Sequence, residues 1–420
     1  MVTHISGGLR AVERCDTLGV APYSDLPHGL FRAWLSPAFA AAHGAVAGWM
    51  AEAGMTVRID PATNLIGRYE GLTPDAPALL IGSHLDSVND AGRYDGPLGI
   101  MLGIECVAAL NAAGRRLPFA IEVIAFGDEE GSRFPAPMLT SRAVAGSFDP
   151  AGLAVVGRDG ATVGQALIAN GYVPDRFAEA ARAPGSVVAY LEAHIEQGPA
   201  LEAEGLAVGV VTGIAAQLRY RVVMEGMAGH AGTTSMDLRR DALVATAEAI
   251  LAVERVVCED LPGVVATVGR CDVSPGAVNV IPGHVDFSID IRSLDPEARD
   301  AAARAILAEI RTIAARRGIG VTARQVHELP AVPCDPRLMD LLAAAMVADE
   351  QPECRLASGA GHDAMVMASL CPTAMLFIRC AGGISHNPAE HVRPADVEVA
   401  RRVMLGFIDR LEAWCVGETV

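Results

Sequence analysis

Short segments of the sequence concentrate residue types able to bind metal ions and move protons. Gly82-Ser83-His84-Leu85-Asp86-Ser87 places a histidine two residues before an aspartate. A neutral imidazole can give one ring nitrogen to a metal while a carboxylate such as Asp86 holds the other N–H and fixes the tautomer. Gly92-Arg93-Tyr94-Asp95-Gly96-Pro97-Leu98-Gly99 follows closely. An aspartate in a glycine-rich turn before a helix is commonly only a cap, but Asp95 could reach the same ion as His84, and its two oxygens could bridge a pair of ions. In Gly127-Asp128-Glu129-Glu130-Gly131-Ser132-Arg133 the adjacent glutamates can point different ways, one to coordinate and one to transfer protons. In Glu192-Ala193-His194-Ile195-Glu196-Gln197-Gly198-Pro199 an extended backbone puts Glu192, His194 and Glu196 on one face. Polar groups on a buried strand are costly unless paired or metal-bound. Ile384-Ser385-His386-Asn387-Pro388-Ala389-Glu390 adds a further histidine.

Each segment alone has a bland reading: a solvated turn, an acidic loop, a structural histidine. Together they supply nitrogen and oxygen donors without sulfur, a set that suits zinc, manganese, cobalt or nickel. Two such ions in one site can hold and ionise a water. Other common site chemistries are absent: there is no GxSxG elbow, no phosphate-binding GxxxxGK[ST] and no HExxH. Gly226-Met227-Ala228-Gly229 does not complete a dinucleotide fingerprint.

These segments need a scaffold, and the hydrophobic pattern predicts one. Ala78–Ser83, Phe119–Phe126, Val187–Ile195 and Thr373–Ile378 read as short buried strands, with a helical period over Leu98–Leu110 and a last helix from Pro394 to Trp414. Buried strands separated by helices indicate an α/β fold with a mostly parallel sheet, whose ligand sites lie at the strands' carboxyl ends. Between Gly213 and Leu329 the rhythm changes. Strands at Leu218–Glu225, Gly263–Gly269, Val285–Ile291 and Gly320–Ala323 alternate with helices at Asp237–Arg255 and Pro296–Arg317. That βαββαβ order suits a ferredoxin-like α+β sandwich. The expected domains are therefore residues 1–212 and 330–420, interrupted by an inserted unit of residues 213–329.

The 420 residues exceed one ordinary domain, and half of them are hydrophobic, enough for a large core. A formal charge of −17, with every cationic side chain an arginine, argues against nucleic-acid binding. No apolar run approaches the ~20 residues of a membrane span, and the first residues do not read as a signal peptide. The 9 cysteines are scattered, with no CxxC pair, so reduced thiols and a cytoplasmic protein are expected.

The ordered set GSHLDSV, GRYDGPLG, DEEGSRF, EAHIEQGP, GHAGTTSMDLRRDA, AVNVIPG, DIRS, SGAGHDA and ISHNPAE resembles the amidase/hydantoinase–carbamoylase family, which includes N-carbamoyl-L-amino-acid hydrolases, β-ureidopropionases and allantoate amidohydrolases. The family belongs to a clan of two-metal aminoacylases and carboxypeptidase-like peptidases. The resemblance runs from His84 to Glu390 and implies particular roles. His84, Asp95 and His194 would hold one divalent metal, and Asp95, Glu130 and His386 the other. Asp86 would orient His84, and Glu129 would be the general base and acid. His230, Asn279 and Arg292 would bind substrate, with His230 reaching across a homodimer and stabilising the oxyanion. Gln197 and the loop of Gly359, Ala360, Gly361 and His362 would line the pocket. The inserted unit would serve as dimerisation domain and lid.

These roles have physical sense. The planar fork of Arg292 suits a substrate carboxylate, and the amides of Gly359–Gly361 before a helix suit an anion. The implied reaction cleaves the C–N bond of an N-carbamoyl (ureido) amino acid to the amino acid, ammonia and carbon dioxide. Allantoate amidohydrolase is the alternative, and Pro135 after Phe134 is a feature often found in that group. An aminoacylase or dipeptidase of the clan is a further alternative, but those relatives typically carry an acidic ligand where this chain has His194. A metal-free descendant kept for binding would be expected to have lost ligands, and none is missing.

Overall fold

The computed structural model of the protein describes residues 6–417. It divides into two compact units: residues up to Thr212 together with those from Cys334, and Gly213–Pro333 between them. The return boundary lies a few residues beyond the Leu329–Pro330 read from the sequence, because the chain stays extended through Val332–Pro333.

The first unit is built on one sheet with the strand order Thr56–Ile59, Leu65–Tyr69, Ala120–Phe126, Ala78–His84, Val187–Ile195, Thr373–Ile378, Val208–Ile214. The expectation of a mostly parallel sheet is corrected to a mixed one. The four strands from Ala120–Phe126 to Thr373–Ile378 run parallel, while the hairpin Thr56–Ile59/Leu65–Tyr69 and the strand Val208–Ile214 add antiparallel edges. Hydrophobic runs report burial, not direction, so the edges were invisible to that pattern. Every residue of Ala78–His84 and of Ala120–Phe126 is buried, as central strands covered on both faces require. The helices Gly7–Leu18, Pro97–Ala112 and Pro394–Cys415 pack on one another, and the middle one also packs on the central strands. Tyr94, Leu98 and Met101 join Leu79, Ile81 and Val123 in a single core.

The inserted unit has the element order βαββαβ. Its sheet runs Cys271–Ser274, His284–Ser293, Ala216–Glu225, Gly320–Leu329, all antiparallel. Val265–Thr267 also pairs with His284–Ser293, so the second strand is interrupted at residues 268–270. One face of this sheet, with Leu218, Val222, Met224, Val285, Phe287, Ile289 and Ile291, packs on the helices Ala242–Asp260 and Pro296–Arg316. The first of these helices starts at Asp241, whose carboxylate accepts from the amides of Leu243 and Val244. The sequence reading began it earlier, at Asp237, where the chain instead makes a short 3-10 turn.

Among the described residues no helix is long and apolar enough to cross a membrane.

Candidate active site

Because the four central strands run parallel, their carboxyl ends share one edge of the sheet, and each end delivers a functional segment. His84 closes Ala78–His84, and His194 lies one residue before the end of Val187–Ile195. Glu129 and Glu130 follow Ala120–Phe126, and His386 lies in the loop after Thr373–Ile378. Asp95 comes from the turn that starts the helix Pro97–Ala112, where the helix N-terminus favours a carboxylate.

That turn needs its glycine. Gly96 has φ +84°, and a β-carbon there would lie 2.5 Å from both the His84 Cε1 and the His84 carbonyl oxygen. No larger residue could sit against the imidazole in this way.

Asp95 is the meeting point. Its Oδ1 lies 3.4 Å from His84 Nε2 and 3.1 Å from His194 Nε2. Its Oδ2 lies 3.3 Å from His386 Nε2, which is 3.4 Å from Glu130 Oε1. The donor atoms of His84, Asp95 and His194 all lie within 4.8 Å of one another, as do those of Asp95, Glu130 and His386. Two three-residue clusters therefore share one aspartate. Glu129 stands beside them, with its Oε2 4.0 Å from His84 Nε2.

The imidazole tautomers test whether cations fit. His84 Nδ1 lies 3.1 Å from the carbonyl oxygen of Asp86, and His194 Nδ1 lies 2.9 Å from that of Ile195. A carbonyl only accepts, so each Nδ1 carries a proton, and Nε2 is the ring nitrogen left to meet Asp95 Oδ1. A lone pair facing a carboxylate oxygen is repulsive unless a proton or a cation lies between. His194 Nε2 is buried and has no hydrogen bond of acceptable direction despite the 3.1 Å separation. The residues fit metal ions.

The charge balance agrees. Burial opposes ionisation of Asp95, yet the imidazoles of His194, His386 and His84 hold its carboxyl well below the usual range. Burial likewise opposes charging of His84, but Asp95, Glu129 and Asp86 outweigh it and push the imidazole well up. The hydrogen bond to Asp95 raises His386 to about 9. Burial, reinforced by Asp95, lifts Glu130 to about 7. Burial also carries Glu129 well above an ordinary glutamate, and Glu130 adds to the effect. A buried glutamate beside the two clusters, with its hold on a proton strengthened, suits proton transfer.

Several supporting contacts differ from the sequence reading or were missed by it. Asp86 faces His84 through its backbone carbonyl, and its carboxylate also accepts from the amides of Glu129 and Glu130, at 3.1 and 3.3 Å. It thus fixes the acidic loop as much as the histidine. Glu196 does not join His194, because the strand ends at Ile195; its carboxylate accepts from the amides of Ala200 and Leu201. Glu192 is held by Ser83 Oγ, Tyr190 OH and the Ala364 amide. Gln197, expected along the pocket, donates from Nε2 to Asp95 Oδ2 at 2.7 Å, beside Ser385 Oγ at 2.6 Å. Glu390 accepts from the amides of Tyr94 and Asp95, at 2.7 and 3.1 Å. Its place in ISHNPAE was the available signal. The buried Arg32 donates to the carbonyl oxygens of Leu85 and Leu18 and is pulled down to about 10 by burial. Nothing local in the sequence marks that contact.

The loop of Gly359, Ala360, Gly361 and His362 lies by the same site. A β-carbon on Gly361 would come 3.9 Å from Glu129 Oε1. The His362 ring stands edge-on to His194 with centroids 4.5 Å apart, and its Nε2 lies 2.9 Å from Ser358 Oγ. The Ala360 amide donates to Ser358 Oγ at 3.2 Å.

Within the inserted unit, Gly229–His230 pairs with Val280–Ile281, and the Ala231 amide donates to the Asn279 carbonyl, which brings His230 and Asn279 together. The Gly232 amide donates to His230 Nδ1 at 3.0 Å. With Nδ1 accepting, the His230 ring carries its proton on Nε2. Arg292 is gripped by Asp290 of the same strand, at 2.7 and 3.1 Å.

Comparison with known proteins agrees with this geometry. The N-carbamoyl-L-amino acid amidohydrolase of Geobacillus stearothermophilus is 43% identical over 359 residues, covering 86% of this chain and 88% of the relative. The allantoate deiminase of Arabidopsis thaliana is 40% identical over 431 residues, covering 95% of this chain and 81% of the relative. The crystal structure of a hydantoinase/carbamoylase family amidase from Burkholderia multivorans superposes with a TM-score of 0.89 at 35% identity, covering 96% of this chain and 98% of that one. Since the sequence profile of peptidase family M20/M25/M40 also matches residues 80–410, the chain belongs to that family, in its hydantoinase/carbamoylase group.

Proposed function

We propose that the protein hydrolyses the C–N bond of an N-carbamoyl (ureido) amino acid, releasing the amino acid, ammonia and carbon dioxide. The observation that carries this is the pair of clusters sharing Asp95 with the buried Glu129 beside them. His84, Asp95 and His194 would hold one divalent cation, and Asp95, Glu130 and His386 a second. Zinc, manganese, cobalt or nickel would supply Lewis acidity and a readily ionised water there.

Glu129 takes a proton from the water that adds to the ureido carbonyl carbon. The C–N bond then breaks, Glu129 returns that proton to the leaving nitrogen of the amino acid, and the carbamic acid left behind falls apart to ammonia and carbon dioxide. His230 donates from Nε2 to the developing oxyanion, reaching the site of a second copy in a homodimer. Arg292 and Asn279 hold the substrate carboxylate end, and the Gly359–Gly361 loop with His362 closes the pocket around Glu129. Ile195 ends its strand just after a histidine rather than an acidic residue, which favours ureido substrates over the acylamino acids and peptides of the wider clan. The inserted unit serves as dimerisation domain and lid, and the enzyme works in the cytoplasm.

Allantoate is the second reading. It is supported by the 40% identity to an allantoate deiminase over 95% of the chain and by Pro135 after Phe134. Ammonia release from N-carbamoyl α-amino acids, N-carbamoyl-β-alanine and allantoate, each with metal-reconstituted enzyme, separates the readings. Turnover of acetylamino acids with none of the ureido compounds would reject both.

A further inference from the structure

The face of the inserted unit's sheet turned away from its helices carries alternating charge. Arg219 and Arg221 project from one strand, and Asp286, Asp290 and Arg292 from its neighbour. These five side chains help to line a cavity of about 580 Å³. One carboxylate there is divided between two guanidinium groups. Asp290 Oδ1 accepts from Arg292 Nε at 2.7 Å, and its Oδ2 accepts from Arg292 Nη2 at 3.1 Å and from Arg219 Nε at 2.6 Å. Asp290 and Arg219 are direct cross-strand partners, so backbone register alone brings them together. Asp290 is half-buried, which raises the cost of its charge, but the two arginines more than offset this and hold the carboxyl below its usual range.

The arrangement has two consequences. A bidentate grip fixes the plane of a guanidinium that would otherwise sample many rotamers. A grip by Asp290 on Arg292 alone would leave that pair neutral and weaken its pull on an incoming anion. Arg219 shares the carboxylate, so two cations and one anion leave the trio with one net positive charge.

We propose that Asp290 and Arg219 are positioning residues for carboxylate recognition: Asp290 orients the Arg292 fork, and Arg219 keeps the group cationic. This rests on the reading that Arg292 holds the substrate carboxylate.

The test compares kcat/KM for N-carbamoyl-L-alanine and its carboxamide in the metal-loaded dimer, with thermal unfolding measured in parallel. Arg292→Ala should collapse the preference for the acid. Asp290→Asn and Arg219→Gln should each reduce it roughly tenfold, the scale of one charge-assisted hydrogen bond, through KM more than kcat. Arg219→Lys should retain most of it, because that position contributes charge rather than a fork. If Arg292→Ala collapses the preference while Asp290→Asn and Arg219→Gln leave it intact, the positioning role is overturned and the Arg292 reading stands. A lowered Tm with an unchanged preference would likewise assign Asp290 to stability alone. If Arg292→Ala leaves the preference unchanged, the reading of Arg292 fails and the positioning role with it.

Discussion

Gln197 grips Asp95 on the same carboxylate oxygen that faces His386. Ser385 donates to that oxygen as well, so Asp95 Oδ2 is braced by two donors while Oδ1 faces His84 and His194. The shared ligand of the two clusters is thus held in one orientation by residues outside them. Gln197→Ala should weaken metal binding by roughly 10- to 100-fold, as loss of an outer-shell partner does. Metal content after dialysis against graded chelator, compared with the unmodified protein, measures this. Equal retention would show that Asp95 needs no brace.

The adjacent glutamates should separate by phenotype. Glu129→Gln should keep the metal content and lose turnover by roughly 10² or more, the scale of general acid–base catalysis. Glu130→Gln should lose metal from the cluster containing His386. Elemental analysis beside kcat distinguishes them, and full activity of Glu129→Gln would remove that residue from the chemistry.

Gly96→Ala places a β-carbon against His84 at a backbone angle that L-residues rarely adopt. The backbone strain alone should cost about 1–3 kcal/mol, with the clash added to it. Denaturant unfolding of the metal-free protein reads the stability loss. Titration with manganese should show weaker binding, because the imidazole must move. Unfolding and titration curves that match the unmodified protein would contradict the close contact.

Removing the metals should abolish turnover and lower the unfolding temperature, since ions that bind only the folded state stabilise it. At free metal one hundred times the dissociation constant, a single site contributes about 2.7 kcal/mol. Manganese, cobalt, nickel or zinc should restore both properties. An apo-protein with unchanged Tm and full activity would refute the assignment of the two clusters.

Much of this site was readable because its ligands sit at the ends of strands that are themselves strongly hydrophobic. His84, Glu130, His194 and His386 each follow or close such a run. The errors arose where a local pattern was carried too far or could not apply. Glu196 continues the two-residue alternation of His194, yet the strand stops between them and Glu196 becomes a helix cap. Asp86 is no such error: its carboxylate stands 3.7 Å from His84 Nδ1, with its backbone carbonyl nearer still at 3.1 Å. The contacts of Arg32 with Leu85, and of Glu390 with Tyr94 and Asp95, join segments far apart in sequence. No window of neighbouring residues contains them. Cys271–Ser274 escaped because half of its residues are polar and it lies at a sheet edge.

The strand Thr373–Ile378 lies between Val187–Ile195 and Val208–Ile214, both made long before it during synthesis. Until those late residues leave the ribosome, Val187–Ile195 presents an unpaired backbone edge toward a gap in the sheet. Such an edge readily captures a strand from another chain. The species most prone to aggregate is therefore the nascent polypeptide halted short of Thr373, and a chaperone that shields this gap should raise the yield of full-length protein without altering its final stability.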